Sequence, residues 1–125
     1  MNPGRLAALA VIAAGAACAA AASFAQPKHP DGNVAAGREL ALFACTGCHV
    51  VEPGQRFEPR YKGPPVPPSF SEIANRPNIT AASLQHHLEA LPDVPTDQKT
   101  MPKPVLSSEE LRDVTAFIVS LRAKP

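Results

Sequence analysis

The chain has 125 residues, 45% apolar and 18% charged, with 12 basic against 11 acidic side chains and a formal net charge of +1. That length suits one small domain, and so even a balance excludes a partner recognised by bulk charge, such as nucleic acid or an anionic membrane. Three cysteines are too few for a disulfide-built scaffold.

Residues 1–25 come first and stand apart. Arg5 is the only charge before Lys28, residues 6–22 are almost wholly apolar and mostly alanine, and Ser23-Phe24-Ala25 is a small-x-small triplet. This pattern describes a secretory signal peptide cut after Ala25, which sends the remainder to the periplasm. An uncleaved anchor is the rival, since residues 6–25 are about long enough to span a bilayer. Alanine is a weak membrane residue, which favours removal. Cys18 lacks the larger aliphatic expected three positions before a lipid-carrying cysteine. Cleavage removes Arg5 and brings the net charge to zero.

Residues 26–32 read as a flexible leader and 33–125 as one domain. Its composition is lean, because residues 1–25 carry a disproportionate share of the apolar residues while all 15 prolines except Pro3 lie beyond them. Small domains of this kind need a disulfide, a metal or a cofactor to complete the core. Cys45 and Cys48 are too close in sequence to staple distant parts together.

A first helix is predicted over 34–44, capped by Asp31 or Asn33, with Leu40, Phe43 and Ala44 on its apolar face. Residues 50–68 follow as a proline-rich loop, stiff and non-helical, of a kind that inside a small domain wraps something. Ser69-Phe70-Ser71-Glu72 has the form of a capping box and opens a short helix that buries Phe70, Ile73 and Ala74 and stops before Pro77. Thr80 caps a helix over 81–91, with Leu84, Leu88 and Leu91 on one face and Pro92 as its stop. Residues 92–104 form a second proline-bounded loop, which contains Met101. A second box, Ser107-Ser108-Glu109-Glu110, opens the last helix. Leu106 and Leu111 staple its start, and Leu111, Val114, Phe117, Ile118 and Leu121 make one stripe. No stretch shows sustained strand alternation. The fold class is all-α, with about four short helices and long Pro-rich loops.

Cys45-Thr46-Gly47-Cys48-His49 carries the chemistry. A redox dithiol would need a thioredoxin-like βαβ setting, which is missing from the pattern. A closed zinc site would need two further ligands; His86 and His87 are adjacent and do not face the same way on a helix, and His29 lies in the leader. The third reading is covalent haem attachment, for which C-x-x-C-H is the known signature. Two thiols on one turn can form thioethers with the two vinyl groups on one side of a porphyrin, and the next histidine presents its imidazole to the iron.

Three stretches resemble the class I monohaem bacterial cytochrome c family, a likeness that covers nearly all of the chain beyond the leader. Gly37-Arg38-Glu39-Leu40-Ala41 through Cys48-His49 is similar to the family's first helix and haem anchor. Pro68-Ser69-Phe70-Ser71-Glu72-Ile73-Ala74 resembles the segment after the haem loop. Thr100-Met101-Pro102, followed by residues 111–122, resembles the methionine loop and closing helix. The resemblance implies a cytochrome c-like fold with one haem c, held by Cys45 and Cys48 and ligated by His49 and Met101, with His86 and His87 as rivals for Met101. It also implies a loop-proline carbonyl that accepts from the other ring nitrogen of His49. Pro64 has the expected preceding glycine, and Pro68 sits correctly against the next helix and is favoured.

Leu40, Phe43, Val66, Phe70, Leu84, Leu88 and Phe117 are candidates to surround the porphyrin. Arg56, Arg60, Tyr61 and Lys62 are candidates to pair with its propionates, and Phe43 and Phe117 to mark where the first and last helices cross. The function implied is a periplasmic electron carrier, not an enzyme, that docks transiently as a monomer on redox proteins as donor and acceptor. A haem subunit bound to a specific dehydrogenase or oxidase, a thiol-disulfide oxidoreductase and a haem sensor with an open sixth position are the alternatives.

Overall fold

The computed structural model describes residues 29–94, 97 and 100–123. The signal-peptide reading and the first three residues of the leader, 26–28, lie outside them. Among the described residues four helices follow in order, α1 (Val34–Ala44), α2 (Phe70–Ala74), α3 (Ala81–Glu89) and α4 (Ser108–Ser120). No strand occurs among the described residues, so the architecture is all-helical as expected.

Each helix starts where a side chain can satisfy its first free N–H groups. Asn33, not Asp31, caps α1, accepting from the N–H groups of Ala35 and Ala36. Ser69 and Glu72 form a complete capping box on α2, and Ser107 and Glu110 form one on α4. The α3 start is also a reciprocal box, made by Thr80 and Ser83. Helix α3 ends at Glu89, with Ala90 as its cap, earlier than the expected residue 91. Leu91 precedes Pro92, whose ring disfavours helical geometry in the residue before it.

Helix α1 packs chiefly on α4, and the contact is backbone to backbone. A Cβ on Gly37 would lie 1.9 Å from the Asp113 carbonyl oxygen. Gly32, at φ +88°, approaches the Arg112 carbonyl in the same way. Asp113 also reaches back, its Oδ1 accepting the Asn33 N–H at 2.7 Å. This corrects the expected crossing at Phe43 and Phe117. Phe117 is buried, but Phe43 is 89% exposed. So close an approach selects the small residues Gly37 and Ala41, one turn apart and both buried. Phe43 lies two positions beyond Ala41, about 200° around the helix, and points away.

The core comprises Ala41, Val51, Phe70, Ala74, Leu84, Val114, Phe117 and Ile118, with α4 supplying the stripe read from its spacing. Thr115 is buried within it. Its hydroxyl donates to the Leu111 carbonyl at 2.9 Å and accepts from Gln85 Nε2 at 3.2 Å, which ties α3 to α4. Arg122 closes the C-terminal end by donating to the carbonyls of Ala74 and Ile79.

Candidate functional site

The Cys45-x-x-Cys48-His49 segment is one more turn wound onto the end of α1. Cys45 caps the helix with its N–H on the Ala41 carbonyl. The Cys45 carbonyl then accepts from the N–H groups of Cys48, at 3.2 Å, and His49, at 2.9 Å. Both thiols are therefore carried on a single turn. Both are free, Cys45 half-buried and Cys48 exposed. His49 is only 8% exposed, so the turn sends its imidazole inward and leaves Cys48 at the surface.

The His49 ring is fixed by two neighbours. Nδ1 lies 2.8 Å from the Pro68 carbonyl oxygen, and the ring is tilted against Phe70 with centroids 5.6 Å apart. A carbonyl can only accept, so Nδ1 carries the proton, and in the neutral ring this leaves the lone pair on Nε2. Nε2 has no hydrogen-bond partner among the described residues. Pro64 is placed differently, its carbonyl 3.4 Å from the Tyr61 hydroxyl.

The loop that brings Pro68 to His49 is pinned at several points. The Phe70 N–H donates to the Val50 carbonyl at 2.9 Å, and the Gly47 carbonyl accepts from the N–H groups of Arg60 and Tyr61. Gln55 bridges the Val51 N–H and the Phe57 carbonyl. Arg38 on α1 grips both oxygens of Glu52 at 2.7 Å, through Nε and Nη2. Hydrogen bonding to Glu52 and its charge raise the Arg38 pKa above its ordinary value. Sequence reasoning missed this clamp, because Arg38 and Glu52 share no helix face or motif spacing that would mark them as a pair. Of the propionate candidates, Lys62 is paired with Glu58 at 2.9 Å and Arg56 is exposed.

Met101 is half-buried in the loop between α3 and α4. That loop is tied by the Lys103 N–H on the Pro92 carbonyl and by the Thr100 N–H on Asp97 Oδ1. His86 and His87 are both exposed near the end of α3. Among the porphyrin-wall candidates, Phe70, Leu84 and Phe117 are in the core and Leu40 and Leu88 are half-buried, while Val66 is 81% exposed.

The rival chemistries are poorly served here. A redox dithiol needs a thiol pKa lowered toward neutrality. Burial, and then the neighbouring Cys48, push the Cys45 thiol up to about 11. No group of three or more His, Cys, Asp or Glu side chains that could hold a metal ion occurs among the described residues, which leaves a closed zinc site without ligands. Two uncrosslinked thiols on one turn, followed by an imidazole with its Nε2 lone pair available, do fit a covalently attached haem.

Comparison with known proteins agrees with the geometry. The family model described as "Cytochrome c" matches residues 34–122. A protein named cytochrome c-552 from Bradyrhizobium diazoefficiens is 34% identical over 86 residues, covering 69% of this chain and 72% of that one. No solved structure gives a significant match. Within such a domain the Cys45-x-x-Cys48-His49 motif implies covalent haem c, and redox proteins are the partners that haem implies. All four helices and the anchor turn fall inside the matched segment, so this chain belongs to the cytochrome c family and is an electron-transfer protein, not an enzyme.

Proposed function

We propose that this protein is a periplasmic electron carrier with one haem c, which Cys45 and Cys48 would hold through thioethers and His49 and Met101 would ligate. The observation that carries this reading is the 2.8 Å contact between His49 Nδ1 and the Pro68 carbonyl. It sets the tautomer an iron ligand needs and holds the ring in one orientation, as partners of metal-bound histidines commonly do.

When bound, the haem supplies a one-electron ferric/ferrous couple. The chain's own residues do the rest. Cys45 and Cys48 tether the group beside the end of α1, and His49 offers its Nε2 lone pair. Pro68 keeps that imidazole from rotating. Met101, half-buried in the loop between α3 and α4, would offer a soft thioether, a ligand that favours ferrous iron and raises the potential. Phe70, Leu84 and Phe117, all buried, form apolar walls that keep water from the couple.

Export rests on residues 1–25 and their signal-peptide pattern, with 33–125 as the working domain after a short leader. No helix among the described residues is long and apolar enough to cross a membrane. A monomer with no net charge after cleavage should meet its donor and acceptor in brief encounters only modestly sensitive to salt.

The ligand assignment is tested on the ferric protein. Wild type should show the weak near-infrared charge-transfer band of sulfur-ligated haem iron. Met101→Ala should lose it and, once reduced, bind carbon monoxide. If the variant keeps the band, or wild type lacks it, the sixth ligand is another residue, with His86 and His87 next in line.

A further inference from the structure

The Pro68 carbonyl and the Ser69 N–H are the two ends of one peptide group. Pro64–Pro65 carries the only cis bond among the described residues, so the Pro68–Ser69 peptide is trans and its oxygen and hydrogen point in opposite directions. The oxygen meets His49 Nδ1 at 2.8 Å. On the other side, the Ser69 N–H donates to Glu72 Oε2 at 2.6 Å. The Ser69 hydroxyl donates to the same oxygen at 2.7 Å, and the Glu72 N–H returns a bond to Ser69 Oγ at 3.2 Å. The next peptide is fixed as well, by the Phe70 N–H on the Val50 carbonyl, one residue from His49.

We propose that Glu72 is a positioning residue for the haem ligand, acting on His49 through the Pro68–Ser69 peptide. This rests on the reading of His49 as an iron ligand and extends it to a residue whose carboxylate bonds to Ser69 and not to the ring. The physical basis is cooperative polarisation. A carboxylate on the N–H end of a peptide draws that dipole toward itself and leaves more negative charge on the carbonyl oxygen. The oxygen then accepts more strongly from His49 Nδ1, and the imidazole becomes a better donor through Nε2. A better donor stabilises ferric iron and lowers the potential. The Ser69 hydroxyl and backbone N–H bonds hold the Glu72 carboxyl below its ordinary range, so it is ionised at neutral pH.

The fold contains its own control. Glu110 makes the same box on α4, its Oε2 accepting the Ser107 N–H at 2.7 Å, but among the described residues no histidine bonds to the peptide carbonyl at that end. Two readouts are measured at high ionic strength on the haem-loaded protein. They are the reduction potential and the His49 Nδ1–H proton resonance of the diamagnetic ferrous form. Glutamine is accepted at the third helical position of a capping box, so Glu72→Gln keeps α2 and removes only the charge. It should raise the potential and move the resonance upfield. Glu72→Asp keeps the charge and should move both less than Glu72→Gln, while Glu110→Gln should move neither. An unmoved potential or resonance in Glu72→Gln overturns the proposal. So does an equal movement in Glu110→Gln, or one in Glu72→Asp as large as in Glu72→Gln. The wild-type spectrum separates this claim from the one beneath it. If it lacks a haem-shifted His49 ring signal, the ligand assignment falls and this proposal with it; if the signal is present, the variants test Glu72 alone.

Discussion

His49 and Cys45 sit four positions apart on one turn and meet opposite fates. The Pro68 carbonyl holds the imidazole in one orientation through Nδ1, whereas burial keeps the thiol protonated. In the chain without haem, the raised Cys45 pKa leaves little thiolate at neutral pH, while Cys48 is exposed. Alkylation followed by mass spectrometry should therefore label Cys48 well before Cys45, and equal rates would contradict the burial that separates them. The attachment motif was legible in sequence because its chemistry is local: two thiols and an imidazole within one turn. The choice between Pro68 and Pro64 was only partly legible. It depends on how a loop of some twenty residues folds back, and the Gly47 and Val50 carbonyls that pin that loop leave no side-chain signature.

At the scale of elements, caps read well and close approaches read poorly. The boxes at Ser69 and Ser107 were visible because each ends in glutamate at the required spacing. The Thr80 box is visible in sequence only as a lone cap, since Ser83 stands where glutamate or glutamine usually marks the motif. The α1–α4 crossing was misplaced at Phe43 because periodicity favours large apolar side chains, and Gly37 has none to count. Gly37→Ala tests that crossing. Its methyl would collide with the Asp113 carbonyl, which is backbone and cannot rotate away. Denaturant unfolding should show a loss of at least about 2 kcal/mol, the upper part of the usual range for overpacking. An unchanged midpoint would mean that the helices do not meet there.

For the molecule as a whole, the sparse apolar composition and the abundance of proline find one explanation. The buried hydrophobic residues are few, and the proline-rich loop is held by polar clamps such as Arg38–Glu52 rather than by a large core. A bound porphyrin adds the apolar mass that the side chains lack. Fold class, helix order and anchor were legible because each follows from local spacing; the clamps were not, because they join residues that only the folded loop brings together. The central claim, one covalent haem on a processed chain, is tested most directly by the intact mass of the protein recovered from a haem-attaching, export-competent host. The mass should equal residues 26–125 plus one haem, with no thiol left to titrate. A bare polypeptide mass with both Cys45 and Cys48 titratable would contradict it.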